Sequence, residues 1–510
     1  MPHGRVLMVQ GTASSVGKSV LVAALCRIFR QDGYRVAPFK AQNMSNNSFI
    51  AADGGEIARS QAVQAEAAGL DPIVDMNPII LKPEADHRSQ VIVRGRVYAT
   101  MTAREYFQAK PSLLPVVADS LNRLRTAFDV VVIEGAGSPA EINLRESDIV
   151  NMRVARLARA PVVLVGDIDR GGVFASLVGT MELLEGEERQ LVRGLVINKF
   201  RGDASLLQPG LDFLARRTGV PVLGVVPHVD DLGLPEEDAA TLEERARPAG
   251  GGLRIAVVRL PHISNFDDFQ PLEEEPGVAV EYVTRPEQIV GAHLVVLPGT
   301  KSTVADLAWL RNRGLAEAIQ RHAANGGAIV GICGGYQMLG EEILDPLRVE
   351  SAEERAEGLG LLPVRTVFDR EKATCRVRGT LVGGAGLVQR AEGAAVEGYE
   401  IHMGRTERAA LGPAVQIVER DGRPTQHGDG AVSEDGRILG TYVHGLFQHH
   451  EARRAILRGL AESVSAPWRP SSAGIDDAQR RAQAYDRLAA VVRASLDMPR
   501  LYEIVGLPSR

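Results

Sequence analysis

Between Arg5 and Lys199 four short apolar runs stop abruptly at small or polar residues, and that punctuation constrains the fold more than anything else in the chain. RVLMV gives way to Gln10-Gly11, VVVI to Glu134, PVVLV to Gly166-Asp167 and LVI to Asn198-Lys199. Runs this short, separated by segments with apolar residues at helical spacing such as Lys18 to Phe29, predict buried parallel strands alternating with helices. In sheets of that kind ligands gather at the carboxyl ends of the strands, where all four polar endings fall.

The stretch LPEEDAATLEERARPAGGG loses the apolar period, gathers charge and ends in Pro-Ala-Gly-Gly-Gly, as a linker does. A second series follows, with Leu253 to Val258, Ala292 to Leu297 and Gly327 to Val330 as its strands. The expected organisation is an α/β domain over 1–235, a linker over 236–252, a second α/β domain over 253–450 and a helical extension over 451–510. Within the extension, Asp476 to Leu496 reads as one helix packed on the outside. A chain of 510 residues is long enough for each domain to bury its own core.

Composition narrows the partners. A net charge of -6 argues against a nucleic-acid protein and for small-molecule ligands. Three cysteines, Cys26, Cys333 and Cys375, make neither a disulfide framework nor a paired-cysteine metal motif, which points to a reducing compartment. No apolar run approaches the ~18 residues of a membrane span. The expected location is the cytoplasm.

Gly11-Thr12-Ala13-Ser14-Ser15-Val16-Gly17-Lys18-Ser19 lies between a predicted strand and a predicted helix, where a glycine-rich loop can wrap a phosphate with backbone N–H groups. The usual pattern, G-x-x-x-x-G-K-[ST], asks for glycine at Thr12; here Gly11 comes one place early. Lys18 can neutralise phosphate oxygens and Ser19 can reach a magnesium ion. Glu134, at the end of a strand expected beside the first, is a candidate magnesium ligand, flanked by glycines that let substrate approach. Asp53, before Gly54-Gly55, is either a second acidic ligand or a turn residue. Asn198 reads as an amide for the edge of a nucleotide base, or as a simple cap.

Gly331-Ile332-Cys333-Gly334-Gly335 follows an apolar strand and precedes Tyr336-Gln337-Met338-Leu339, which is the G-x-[nucleophile]-x-G arrangement of a strained strand-to-helix elbow. The glycines are needed because the nucleophile's backbone is forced into an unfavourable region and crowds its neighbours. A thiol nucleophile needs a base. Of the 11 histidines, His444 at the end of a short late strand is the best placed, with His402 its rival. Gly334 N–H and the glycine turn at Gly299 are candidates for an oxyanion hole.

These residues resemble known families. GICGGYQMLG with His444 is similar to the class I glutamine amidotransferase domain, and GTASSVGKS with Glu134-Gly135-Ala136-Gly137 is similar to dethiobiotin synthetase, which phosphorylates a carboxylate. Their fusion in this order resembles the cobyrinic and cobyric acid amidases. KAQNMSNNS, MNPIILKP, GDIDRGGVF and HISNFDDF match the cobyric acid synthase family in particular.

The resemblance implies a P-loop NTPase-type parallel-sheet domain followed by a flavodoxin-like amidotransferase domain. It implies ATP- and glutamine-dependent amidation of four peripheral carboxylates of a corrinoid, adenosylcobyrinic acid a,c-diamide, to give adenosylcobyric acid. On that footing Cys333 is the nucleophile and His444 the base. Gly11, Thr12, Gly17, Lys18 and Ser19 hold ATP phosphates, Ser19, Glu134 and Asp53 the Mg2+, and Asn198 the adenine. Many class I amidotransferases orient the histidine with a glutamate two residues later; here that position is Leu446, which leaves the orienting group open.

Overall fold

The computed structural model describes residues 3–85, 87–229, 233–234, 252–470 and 477–508. The expected linker, 236–252, lies outside these apart from Gly252. The first sheet has six parallel strands in the order Val222–Pro227, Val192–Phe200, Val162–Asp167, Arg5–Gly11, Val130–Glu134, Val36–Phe39. Its central strands are buried along nearly their whole length, which is why they read as unbroken apolar runs. Register sets Val9 opposite Glu134, Gly11 opposite Val165 and Asp167 opposite Asn198, so the four polar endings share one edge. Helix Lys18–Gln31 then packs Leu21, Leu25, Ile28 and Phe29 against that sheet.

The second sheet runs Val278–Val283, Leu253–Val258, Leu294–Leu297, Ala328–Ile332, Ile438–Thr441, Ala431–Val432, parallel except for the last pair. Two mixed sheets, mainly antiparallel, were not legible as apolar runs. One, within residues 42–102, pairs Gln42–Met44, Ile79–Pro83, Arg88–Val93 and Arg96–Thr102 in a row. The other is built on the pairing of Val364–Leu381 with Ala395–Arg408. The two long strands are half-exposed and interleave charged residues with apolar ones, so their alternation is hidden in sequences such as REKATCRVR.

The C-terminal extension contains helices His450–Ser463, Asp477–Ser495 and Met498–Val505. The middle one matches the expected helix, and the domain it packs on is the first. Tyr485, Leu488, Val492, Leu501 and Tyr502 are buried in the same core as Cys26 and Phe29. The chain thus returns to complete the first domain, and Arg493 pairs with Asp32 at 2.8 Å.

The two domains meet beside the Cys333 elbow. The Asn265 N–H donates to Asn47 Oδ1 at 2.7 Å and the Ser48 N–H to Asn265 Oδ1 at 3.1 Å. Arg59 pairs with Asp267 at 3.1 Å and Lys301 with Glu84 at 2.7 Å. Glu56 is clasped by Lys82 and Lys372, at 2.6 and 2.5 Å.

Candidate active site

Cys333 sits at the turn from strand Ala328–Ile332 into helix Gly334–Leu339 with φ 53° and ψ -111°, a conformation costly for any side-chain-bearing residue. The flanking glycines exist because nothing larger fits. A Cβ on Gly335 would stand 2.0 Å from the Leu297 carbonyl oxygen, and one on Gly334 2.6 Å from Thr300 Cγ2. A Cβ on Gly299 would lie 3.0 Å from His444 Cε1, so both expected oxyanion-hole residues border the cysteine–histidine pair. The thiol donates to the Ile401 carbonyl at 3.4 Å, on one of the antiparallel strands that sequence patterning hides.

His444 is buried and lines the same cavity as Cys333. Its Nδ1 donates to Asp268 Oδ2 at 2.7 Å, Asp268 Oδ1 accepts the Gly445 N–H at 2.9 Å, and Tyr399 stacks on the ring at 5.3 Å between centroids. Burial alone would lower the imidazole pKa, but the Asp268 charge and hydrogen bond, reinforced by Cys333, raise it to about 10. The orienting carboxylate left open by Leu446 is therefore Asp268, 176 residues earlier in the chain. Leu446 itself is an apolar core residue.

His402 shares the cavity but not the role. Its Nδ1 is bound to the Gly404 carbonyl at 3.0 Å, its ring stacks on Tyr442 at 3.7 Å, and burial pushes its pKa down to about 3. The cavity is lined by Cys333, His444, His402, Gln337, Lys301, Glu350 and, from the first domain, Lys82.

At the carboxyl edge of the first sheet the loop 11–19 closes on itself. Gly17 has φ 95°, and a Cβ there would meet Asn198 Nδ2 at 2.2 Å. Gly11, the apparent misfit, leaves no room either: a Cβ would stand 2.5 Å from Val16 Cγ2. Thr12 is fixed by its N–H to the Val165 carbonyl at 2.9 Å. Lys18 Nζ donates to the carbonyls of Ala13, at 2.8 Å, and Gly137, at 3.1 Å, joining the loop to the Glu134 motif.

Ser19 Oγ donates to Glu134 Oε1 at 2.8 Å, and Lys40 and Gln64 hold the same carboxylate at 2.9 and 2.5 Å. Burial would raise the Glu134 pKa, but Lys40 above all lowers it, so the carboxylate stays ionised. A hydroxyl beside an ionised carboxylate at the end of a phosphate loop is an oxygen donor set that fits magnesium.

Asp53 and Asn198 take the second of the two readings left open for each. Asp53 does not turn toward this cluster: it is exposed in a turn and accepts the Val74 N–H at 3.2 Å, while Glu56, three residues on, is the inward-facing acid. Asn198 is a strut rather than an open amide, its Nδ2 donating to the Val16 carbonyl at 2.8 Å beneath Gly17.

Sequence reasoning missed Asp268, Glu56, Lys40 and Gln64 as site residues. Lys40 and Asp268 lie in KAQNMSNNS and HISNFDDF, stretches singled out for their resemblance without roles, and that was the available signal.

Two family models match the chain in succession. Residues 7–242 match the family described as CobQ/CobB/MinD/ParA nucleotide binding domain, and residues 254–452 the CobB/CobQ-like glutamine amidotransferase domain. Over 518 aligned residues the chain is 58% identical to the cobyric acid synthase of Sorangium cellulosum, covering 99% of each. It is 51% identical to that of Dehalococcoides mccartyi, covering 98% of this chain and 99% of the relative. The solved structure of PurLQS from Thermotoga maritima covers 42% of this chain and 99% of its own at 18% identity, with a TM-score of 0.31.

Proposed function

The chain belongs to the cobyric acid synthase family and is a glutamine-dependent amidating ligase of cobalamin biosynthesis; we propose, from that premise, that it amidates four peripheral carboxylates of adenosylcobyrinic acid a,c-diamide to give adenosylcobyric acid. The observation that carries the reading is His444, held by Asp268, sharing with Cys333 a cavity whose wall includes Lys82 of the nucleotide-binding domain.

In this reading His444 takes the Cys333 proton as the sulfur attacks the amide carbon of glutamine. The oxyanion that forms lies toward Gly299 and Gly334. As the carbon–nitrogen bond breaks, His444 gives the proton to the departing nitrogen, leaving ammonia and a thioester. Water, deprotonated by the same histidine, hydrolyses the thioester to glutamate.

At the other site Gly11 to Ser19 cradle the ATP phosphates and Lys18 neutralises the group in transfer. Ser19 and Glu134 are the residues that would hold Mg2+, which offsets charge on the phosphoryl oxygens. The corrin carboxylate attacks the γ-phosphorus and displaces ADP, and the acyl phosphate so formed is opened by ammonia, releasing inorganic phosphate and the amide. A free catalytic thiol suits a reducing compartment, and we place the reaction in the cytoplasm.

Cys333→Ala is expected to abolish glutamine use while leaving amidation with ammonium; loss of both refutes the division of labour. Lys18→Ala is expected to stop amidation with either nitrogen source. Product mass followed with time on the a,c-diamide, against cobyrinic acid as the alternative substrate, reads both outcomes and the count of amides.

A further inference from the structure

Four charged side chains other than His444's partners line the Cys333 cavity, and three of them are lysines: Lys82, Lys301 and Lys372. All three are paired, Lys82 and Lys372 sharing Glu56 and Lys301 with Glu84. The fourth, Glu350, is the one acid among the described residues of the cavity wall. Its Oε1 accepts the N–H groups of Thr303 and Val304, the latter at 3.3 Å, at the start of helix Thr303–Asn312. Its Oε2 has only a long contact, 3.4 Å, from the Thr303 hydroxyl.

That hydroxyl has a nearer acceptor for its single proton in Gln337 Oε1, at 3.1 Å, and Gln337 lies one helical turn beyond Cys333. Glu350 is thus joined to the nucleophile's own helix by a single side chain. Capping the helix accounts for one carboxylate oxygen, and a neutral amide would do it equally well. It does not account for a second, under-used oxygen in a pocket otherwise lined with cations.

We propose that Glu350 is the receptor for the α-ammonium group of glutamine and sets the enzyme's preference for an amino acid over a simple amide, an inference that rests on the glutaminase reading of Cys333. Lys301, close enough to act on the Glu350 charge, faces the α-carboxylate of the same zwitterion. Burial holds the Glu350 carboxyl up to about 7, against the pull of Lys301 and the two N–H groups. An arriving ammonium favours the ionised form and satisfies the spare oxygen. A group desolvated to meet a charged partner discriminates strongly against ligands that lack it.

The experiment compares glutamine with 4-carbamoylbutanoate, which is glutamine without the α-amino group, as substrates for ammonia release. The wild-type enzyme is expected to favour glutamine by ~100-fold or more in kcat/KM. Glu350→Gln keeps a cap acceptor and is expected to raise the glutamine KM while barely moving that of the des-amino analogue, collapsing the preference to within ~10-fold. Glu350→Asp is expected to restore part of it. A purely structural role predicts equal losses on both substrates, and that result overturns the proposal. So does a wild-type enzyme that hydrolyses both equally, a measurement that needs no variant to fold. Absence of any ammonia release from glutamine overturns the Cys333 reading and this inference with it.

Discussion

Asp268 holds the histidine by two bonds from one carboxylate, to the ring Nδ1 and to the next backbone N–H. Asp268→Asn preserves the shape and the Gly445 bond, but its amide either offers a donor to Nδ1 or accepts without charge. Glutaminase activity is expected to fall by roughly 1,000-fold or more, with ammonium-dependent amidation as the internal control. The pH dependence follows from the raised histidine pKa. A group raised from 6.5 to about 10 adds stability that is complete below 6.5 and lost as pH climbs through 10. In Asp268→Asn this slope between neutral and alkaline pH should flatten, measured by denaturant titration at pH 6, 8 and 10. At this scale the elbow was legible in the sequence, because G-x-C-x-G declares a local backbone requirement. Asp268 was not, because nothing local distinguishes it from Asp267.

Helix Arg59–Ala67 is the element that spans the two chemistries. Arg59, at its start, pairs with Asp267 next to the histidine's carboxylate, and Gln64, further along, donates to Glu134 and to the Ser19 carbonyl. Asp267 is buried, and burial raises its pKa even with Arg59 beside it. Arg59→Ala leaves that acid uncompensated and is expected to cost ~3 kcal/mol of stability, seen as a lower denaturation midpoint. It should also loosen the link between the sites, so that glutamine hydrolysed per amide formed rises above the wild-type ratio; an unchanged ratio would confine the residue to a packing role. The helix was invisible to periodicity: RSQAVQAEA carries no clear apolar stripe, because seven of its nine residues are buried, polar ones included.

The whole molecule depends on its last segment. Helices Asp477–Ser495 and Met498–Val505 bury Tyr485, Leu488, Val492, Leu501 and Tyr502 against Phe29 and its neighbours in the first domain. Arg453, buried, ties this return to the second domain through Glu275 at 3.0 Å and Asp477 at 2.7 Å. A chain ending at residue 470 would expose five large side chains' worth of apolar contact. The loss is on the order of 10 kcal/mol, comparable to a domain's entire stability. Such a truncation is expected to bind a hydrophobic dye and to lose ATP-dependent amidation even with ammonium, whereas a merely peripheral segment would leave both unchanged.

Short-range chemistry determined what could be read directly. Strand endings placed the phosphate loop and Glu134 on one edge because a buried parallel strand admits polar residues only where it emerges. The strained turn at Cys333 demanded its glycines within two positions on either side. Only the tertiary structure decided which carboxylate serves His444, which amide props Gly17, and which acid enters the cavity. Those are pairings between residues far apart in the chain, selected by where two sheets and a returning helix come to rest, and a buried polar group takes whichever partner that packing brings within hydrogen-bond reach.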